Sequence, residues 1–499
     1  MDGRAAPSLS RRGFTSQATA LRGAAGRGEK ATTGSPVAGV GVGVGAGVGS
    51  TRALAVALGA LRPAANAAGL IDQLRGLEDL KSAIAGVQAQ ISVAVDVLER
   101  QTQAQAGTPA AEQGKGVSAQ IALARRESPA RGSRLLGLAR ALVTEMPHTL
   151  AALHNGQLNE WRATLIVKET ACLSAADRSA VDEELCPDTG TFEGHGDKAI
   201  IAAARTASYR RDPRAVVNRA AHAANERFVS IRPAPDTMAY LSALLPVKNA
   251  VAAYAALTRH ADTARATGDT RSRGQLMADA LVERVTGAPG GVSRVELQVI
   301  MTDRSLFQGD SEPARIPGYG IVPSAWARDL IRPGAIPSPS PSGNRSATPH
   351  GSEEHSDQGP PTFEVWLRRL YTAPTTADLV AMDSKARLFT PAQRRFISAR
   401  DATCRTPYCD APIRHYDHII PWHKDGPTSV ANGAGLCEVC NHTKEQPGWT
   451  AGPHPGSRHT LRVATPTGHT YQATAPPLPG AGTAVSPVPG RIGRGVHRT

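Results

Sequence analysis

Apolar residues recur at helical spacing near the start of the chain. Between Leu70 and Gln105 they follow one another at intervals of three or four residues, with polar residues between them. The positions are Ile71, Leu74, Leu77, Leu80, Ile84, Val87, Ile91, Val95 and Leu98. This pattern predicts one long amphipathic helix whose apolar stripe packs in a core or against a partner helix. A homo-oligomer formed through this amino-terminal helix is therefore one expectation.

Alanine-rich amphipathic segments continue the helical pattern from Val117 to Pro289. They predict helices over Arg134 to Glu145, Asn155 to Glu169, Ala199 to Ser208, Asp212 to Ala224, Ala239 to Ala264 and Arg273 to Thr286. Between Met146 and Ala163, Gly156 interrupts the pattern and predicts two helices joined by a turn. A DNA-reading helix-turn-helix and a plain helical hairpin both fit this pair, and the hairpin is the commoner arrangement.

Strand and loop patterns appear after Pro289. The alternation from Val295 to Thr302 predicts a strand, and Gly318-Tyr319-Gly320 predicts a turn before a short helix from Pro323 to Leu330. Residues 332–361 are rich in Pro, Ser and Gly, which predicts a flexible linker. The elements predicted after the linker are helices over Thr362 to Tyr371 and Pro391 to Asp401, a strand over Tyr416 to Ile420, a helix beginning at Cys440, and a hairpin over Thr460 to Gln472.

The composition suits several helical domains joined by irregular segments. The chain has 499 residues, of which 41% are hydrophobic and only 4% aromatic, and it contains 49 glycines and 37 prolines. A chain of this length predicts two to four domains. Glycine at alternate positions from Val37 to Gly49 opposes helix formation. We therefore expect residues 1–69 to be disordered, and the Pro/Gly-rich residues 476–499 to form a disordered basic tail.

The net charge of +13 favours a polyanionic partner such as nucleic acid. Residues 400–450 are nearly neutral, with five Lys or Arg against six Asp or Glu, but their flanks are basic. Ser384 to Arg400 carries five basic residues, residues 451–499 carry five arginines, and neither segment contains an acid. Such arms can hold phosphates. A basic surface that is merely solvated is an equally good interpretation of each arm.

The sequence gives no sign of a membrane segment. The apolar run from Val37 to Gly49 is too short to span a bilayer, and no other stretch is apolar enough. Residues from Ser10 to Phe14 resemble the start of a twin-arginine export signal, but no apolar core follows them. We therefore expect a cytoplasmic protein that has no contact with a membrane.

Four of the six cysteines lie between Arg400 and Trp449. Cys404 and Cys409 are separated by four residues, and Cys437 and Cys440 by two. Two such turns can close a tetrahedral thiolate shell around a structural Zn²⁺. Two disulfides are the alternative, but a chain of this length does not need them to stabilise a core, so the spacing favours zinc.

Residues suited to proton transfer and cation binding lie between the two cysteine pairs. Asp417 and His418 are neighbours on the predicted strand, and neighbouring strand residues point to opposite faces. One of them could therefore bind a cation while the other faces a substrate. A lone histidine is more often a satisfied core residue, but a neutral imidazole beside a carboxylate is suited to take a proton near pH 7.

These residues together resemble the motif of the HNH endonucleases, which are ββα-metal nucleases. The resemblance rests on Asp417-His418-Ile419-Ile420-Pro421, then Asn432, then Cys437-x-x-Cys440-Asn441-x-x-Lys444, preceded by Cys404 and Cys409. It implies that the module cuts DNA with a catalytic divalent cation, Mg²⁺ or Mn²⁺, and that the four cysteines hold structural zinc.

The resemblance also implies a role for each site residue. His418 would be the general base that activates water, Asp417 a ligand of the catalytic cation, and Asn432 the residue that orders the intervening loop. Asn441 would be the last ligand of the cation site. Most HNH endonucleases have histidine at this position. His442 follows one residue later and lies about 100° away around a helix. The choice between these two residues as the last ligand stays open at this stage.

A second resemblance covers the helical region. The residues from Arg273 to Val282, and above all Ala314-Arg315-Ile316-Pro317-Gly318-Tyr319-Gly320, resemble a helical domain of unknown function that is common in high-GC bacteria. Members of that family end in an HNH module of this kind. The resemblance therefore predicts the arrangement of the chain over about residues 130–475, but it implies no activity for the helical part.

The sequence thus predicts a mainly α, multidomain chain that acts as an HNH endonuclease. We expect a helical domain over residues 70–331, the linker over 332–361 and a zinc-stapled ββα-metal module over 362–475. The first alternative is a zinc-stabilised nucleic-acid-binding protein whose nuclease site is degenerate, which the unusual Asn441 favours. A third interpretation makes the helical region the active part, with the zinc module as an anchor of the fold.

Overall fold

A computed structural model describes residues 47–188, 190–287, 297–331, 383–384, 388–456 and 458–480. The chain divides into two compact units, residues 1–73 and residues 74–499. The predicted helix over Thr362 to Tyr371 and the predicted linker lie outside the described residues.

Helices dominate the described residues up to residue 331. In chain order the α-helices are α1 (Gly47–Gly59), α2 (Ala67–Gln105), α3 (Val117–Ala124), α4 (Pro129–Thr144), α5 (Pro147–His154), α6 (Glu160–Thr170), α7 (Ala175–Leu185), α8 (Asp197–Arg211), α9 (Pro213–Ala223), α10 (Val247–Ala266), α11 (Arg273–Thr286), α12 (Ser324–Ile331), α13 (Pro391–Asp401) and α14 (Glu438–Lys444).

The strands are short and form small antiparallel sheets. They are β1 (Phe228–Pro233), β2 (Ala239–Leu244), β3 (Ala314–Ile316), β4 (Gly320–Val322), β5 (Asp383–Ser384), β6 (His415–His418), β7 (Thr428–Ser429), β8 (Gly433–Leu436), β9 (Thr450–His454), β10 (Thr460–Ala464) and β11 (Thr470–Thr474). Among the described residues, four sheets are strand pairs, and the fifth has three strands in the order β11-β10-β9. The predicted fold class, a mainly α chain with a small ββα module near its C-terminus, is confirmed.

One predicted helix was wrong in its start. The helix predicted from Ala239 begins only at Val247, because Ala239–Leu244 forms a strand that pairs with Phe228–Pro233 and Pro246 is the N-cap of the helix. Among the described residues at the two ends of the chain, Gly47–Gly59 forms helix α1, and Leu478 is buried against Ile300 and Ala399.

The long helix α2 has the predicted extent but buries a different face. The buried residues are small or polar and include Ala85, Ala89 and Asp96. Ile91 and Leu98 of the predicted apolar stripe are instead 56% and 62% exposed. Ala85 and Ala89 pack against larger residues of α4 and α5, among them Leu142 and Leu153, so the small residues of α2 form the face that contacts the core.

The helical region shares part of its core with the cysteine-rich module. Ala119 and Leu123 of α3 belong to the same buried cluster as the four cysteines and Trp449. Gln120 of α3 also accepts a 2.9 Å hydrogen bond from the Thr467 hydroxyl. A second contact joins Arg315 of β3 to the Ala399 carbonyl of α13. Helix α3 and strand β3 are therefore part of the environment of the module.

A buried ion pair within α13 is hydrogen-bonded to the backbone around β8. The Arg400 Nε lies 2.7 Å from Asp401 Oδ1, and both side chains are at most 5% exposed. Arg400 also donates to the carbonyls of Val430 and Gly433, at 2.6 Å each. The second Asp401 oxygen accepts from the Gly435 amide at 2.8 Å. Arg400 is thus a structural residue, although the sequence placed it in a phosphate-binding arm.

We expect Arg400→Ala to lower the free energy of unfolding by about 3–5 kcal/mol, because it leaves Asp401 buried without its nearest cation. Denaturant unfolding of the whole protein would measure the change. Arg395→Ala is the matched control on the same helix, and its exposed side chain predicts a change within about 0.5 kcal/mol. Equal stability of the two variants would contradict the structural role of Arg400.

Candidate metal centre and adjoining polar site

The four cysteines of the module meet at one point. Their sulfur atoms all lie within 4.8 Å of one another, and all four residues are buried. Cys404 and Cys409 lie on the knuckle after α13, where Tyr408 adopts a left-handed φ of 62°. Cys437 is the N-cap of α14, and its sulfur accepts from the Cys440 amide at 3.4 Å. A knuckle and a helix N-terminus thus supply two sulfurs each.

The chemistry of this cluster fits a structural zinc ion. All six cysteines are free, so the alternative of two disulfides is wrong in this structure. Hydrogen bonds among the four side chains lower the pKa of Cys404 and Cys437 and raise that of Cys409 and Cys440. Four buried sulfurs within 4.8 Å of one another are the kind of ligand set that zinc prefers.

The strand pair β6–β8 presents different residues to its two sides. In the antiparallel register Asp417 lies opposite Ala434, and His418 lies opposite Gly433. On one side Asp417 contacts Lys444 of α14, and the ring centroid of His415 is 6.2 Å from that of His442. The other side faces α13, where the Tyr416 hydroxyl lies 2.6 Å from the Ser398 hydroxyl.

Asp417 is an ionised, partly buried carboxylate with two close donors. Its Oδ1 accepts from the His418 amide at 2.8 Å, and its Oδ2 lies 3.0 Å from the Lys444 ammonium. Burial would raise the pKa of Asp417, but the charge and hydrogen bond of Lys444, with the His418 amide, outweigh it. The net result is a pKa below the ordinary value. A carboxylate in this state is a ready ligand for a cation.

Asn441 has a buried oxygen without a hydrogen-bond partner. Its Oδ1 is inaccessible to solvent and accepts no hydrogen bond. Asn441 lies three residues before Lys444 on α14, so both project from the same side of the helix that packs on β6. A buried polar atom without a partner is costly and calls for an explanation. A cation at this position would satisfy it, because amide oxygens are ligands for hard cations.

The side chain of His418 is buried and oriented by two neighbours. The residue is 6% exposed, and its ring centroid lies 4.7 Å from that of Phe389. Its Nε2 is 2.9 Å from the Thr428 hydroxyl oxygen, and its Nδ1 is 3.7 Å from Asp417 Oδ1. The ring therefore has one nitrogen engaged by Thr428 and the other on the side of Asp417.

The side chain of Asn432 closes the loop between β6 and β8. Its Oδ1 accepts from the Ile420 amide at 2.9 Å, and its Nδ2 donates to the carbonyls of Ile420 and Pro427 at 3.0 and 2.9 Å. The loop is tight, because a Cβ at Gly426 would lie 1.9 Å from the Ile420 oxygen. All the polar atoms of this amide are used within the loop.

Three residues without a predicted role contact the candidate residues: Lys444, Thr428 and His415. The signal for Lys444 was its position three residues after Asn441, which puts the two on one side of a helix. His415 had a similar signal, since it precedes Asp417 by two residues on a strand. Thr428 had none, because its contact with His418 depends on how the loop folds. Within the described residues, the four cysteines are the only group of three or more His, Cys, Asp or Glu close enough to hold a metal.

Two known protein families match this chain. The family described as Domain of unknown function (DUF222) matches residues 74–302, and the family described as HNH endonuclease matches residues 404–446. Both resemblances inferred from the sequence are therefore confirmed. The HNH endonuclease domain supports a nuclease of the HNH type, whose substrate is nucleic acid. No curated protein and no solved structure matches the chain significantly.

The helices bear on the prediction that no segment spans a membrane. None of the helices in the described part of the chain combines the length and the apolar character that a bilayer-spanning segment needs.

Removal of zinc should unfold the module, because a structural zinc site contributes about 10–16 kcal/mol in small zinc-finger peptides. We expect one zinc per chain in purified protein, and loss of both zinc and strand signal in Cys404→Ser. Elemental analysis and circular dichroism would measure these changes. Cys172→Ser is the matched control, because Cys172 lies in the helical region away from the cluster. A Cys404→Ser protein with full zinc content would contradict the assignment.

Proposed function

We propose that this chain is a metal-dependent endonuclease that hydrolyses DNA phosphodiester bonds at the site between β6 and α14. The observation that carries the proposal is the buried Asn441 Oδ1, which accepts no hydrogen bond. Asn441 lies within the residues that match the HNH endonuclease family. The choice of DNA as the nucleic acid follows the resemblance to HNH endonucleases. The helical domain and the zinc cluster hold the site in place.

Asp417 and Asn441 would hold the catalytic cation, Mg²⁺ or Mn²⁺. Asp417 offers an ionised oxygen and Asn441 an unsatisfied one, from a strand and a helix that pack together. When bound, the cation would stabilise the charge that develops on the phosphate oxygens. His442 points to another side of α14, towards His415, so Asn441 is the better candidate for the ligand.

His418 would act as the general base. If its Nε2 carries the proton and donates to Thr428 Oγ1, Nδ1 is the unprotonated nitrogen, and it lies 3.7 Å from Asp417 Oδ1. That nitrogen would take a proton from the attacking water, and the Asp417 carboxylate would stabilise the resulting imidazolium. Thr428 would then fix the tautomer that the reaction needs.

Lys444 would act on Asp417 before the cation binds. Its side chain is only 9% exposed, and its ammonium neutralises Asp417 Oδ2. Lys444 would keep Asp417 ionised and oriented in the absence of a cation. A divalent cation held by Asp417 would compete with the ammonium for this carboxylate.

A nucleic-acid-binding protein without cleavage is the second candidate. The observation that favours it is the ion pair of Lys444 with Asp417, which neutralises the carboxylate without a metal cation. The burial of His418 points the same way, because a general base must reach the attacking water. Both functions require nucleic acid, so cleavage and not binding distinguishes them.

We expect purified protein to nick supercoiled plasmid with Mg²⁺ or Mn²⁺ and not with EDTA. His418→Ala should reduce the rate at least 100-fold, because proton transfer by a positioned side chain contributes about 10²–10⁴-fold. His423→Ala is the matched control, since His423 is an exposed histidine of the same module.

The result decides between the two functions. Nicking that persists in His418→Ala would rule out its role as the base. Absence of nicking by the wild type, with DNA and zinc both retained, would establish the binding protein.

Replacing Lys444 with glutamine should tighten Mn²⁺ binding, because it removes the positive charge that competes for Asp417. We expect a change of about ten-fold in the dissociation constant, measured by calorimetry without DNA. Asp417→Asn should abolish binding, and Lys424→Gln, an exposed lysine of the same module, should leave it unchanged. Weaker Mn²⁺ binding by Lys444→Gln would contradict competition and show that Lys444 supports the cation site.

A further inference from the structure

A long stretch of the helical region has no core of its own. From Tyr209 to His260, every residue is described and none is buried. The stretch contains α9, the hairpin β1–β2 and most of α10, and Ala261 is the first buried residue after Ser208. A folded segment of this length normally buries a large part of its apolar surface.

The hairpin has one face made only of apolar residues. In its register, Val229 is opposite Ala243 and Ile231 is opposite Leu241. Side chains alternate along a strand, so these residues share a face with the terminal pair of Pro233 and Ala239. We call this set of three residue pairs the apolar face. All twelve residues of the two strands are exposed.

Helix α10 extends the apolar surface beyond the hairpin. Val247, Val251 and Tyr254 are 79%, 61% and 67% exposed, and their spacing of four and three residues puts them on one side of the helix. Thirteen large hydrophobic residues between Tyr209 and Tyr254 are exposed in all. Soluble monomers rarely expose an apolar patch of more than a few hundred square ångströms.

The hairpin needs a cover in order to be stable. Among the described strands, β1 and β2 pair only with each other, and an isolated two-stranded hairpin is marginally stable in water. The Tyr319 hydroxyl donates to the Ala234 carbonyl at 2.9 Å, which anchors the turn but leaves the apolar face open. The cover must therefore be present whenever the chain folds.

The chemistry of the surface selects a protein partner over nucleic acid. Between Phe228 and Val247, only Arg232 and Asp236 are charged. The Arg232 guanidinium lies over the Tyr240 ring, 4.2 Å from its centroid, on the side opposite the apolar face. Phosphate groups need clustered basic residues, which this surface lacks.

A second copy of this chain meets both requirements. It is always available when the chain is synthesised, and it presents the same apolar face, so a two-fold axis brings like surfaces together. Standard interfaces use about 20–30 residues on each side with an apolar centre. The large hydrophobic residues of the apolar face and of α10 would form this centre in each copy: Val229, Ile231, Leu241, Val247, Val251 and Tyr254. We propose that the chain is a homodimer in which the apolar faces of two hairpins pack together, flanked by the α10 residues.

The proposal differs from oligomerisation through the amino-terminal helix, which the sequence predicted. Helix α2 also exposes apolar residues, including Ile91 and Leu98. Its other face is buried in the core, so α2 is stable without a partner. The hairpin has no buried face, and its need for a partner is correspondingly stronger.

Sedimentation of the full-length protein at micromolar concentration tests this dimer. We expect the wild type to sediment as a dimer, and the variant Ile231→Lys/Leu241→Lys to dimerise at least ten-fold more weakly, because it buries two charges. The matched control is Ser230→Lys/Ser242→Lys, which adds the same charge to an opposing pair on the other face. Far-UV circular dichroism and zinc content would verify that both variants are folded.

Hydrogen exchange of the wild type gives a second measurement. Amides of residues 228–244 should exchange faster as the protein is diluted, since the dimer protects them. A monomeric wild type, or equal dissociation of the two double variants, would overturn the proposal. The proposal would also be overturned if Ile91→Lys dissociated the dimer and Ile231→Lys/Leu241→Lys did not. That result would place the dimer interface on α2. None of these measurements depends on nuclease activity.

Discussion

The convergence of four cysteine sulfurs is the constraint on which the module depends. The sulfurs join the knuckle after α13 to the first turn of α14, and β8 runs between α13 and that turn. Helix α14 carries Asn441 and Lys444, and its position on β6 brings Lys444 to Asp417. The sulfurs share one buried cluster with Ile419, Leu436 and Trp449, so the cysteines and the apolar residues together fix the helix on the strand pair.

Charged residues of the module fall into two groups that do different work. Arg400 and Asp401 are buried, satisfy each other and tie α13 to the backbone around β8. Asp417 and Lys444 are less buried, and the oxygen of Asn441, on the same helix as Lys444, has no hydrogen-bond partner. The first arrangement is complete without any ligand, whereas the second is incomplete. This difference, and not the total charge, distinguishes the structural site from the candidate catalytic site.

The helical region contributes to the module instead of standing apart from it. Residues Ala119 and Leu123 complete the buried cluster around the cysteines, nearly three hundred residues earlier in the chain than Cys404. Arg315, which lies just beyond the residues that match the family of unknown function, reaches the backbone of α13. A boundary drawn along the sequence therefore separates residues that share one core. This contact gives the helical domain a physical role in the nuclease module.

The sequence by itself determined the elements and the chemistry that depend on local pattern. Cysteine spacing predicted the metal cluster, and Asp417-His418 with Asn441 predicted the HNH domain, because these ligands lie on single turns or neighbouring positions. Only the tertiary structure decided which face of α2 is buried, that Thr428 orients His418, and that Arg400 is internal. Each of these depends on which distant surfaces meet, and close packing can favour small residues such as Ala85 over the larger apolar residues that dominate a sequence pattern.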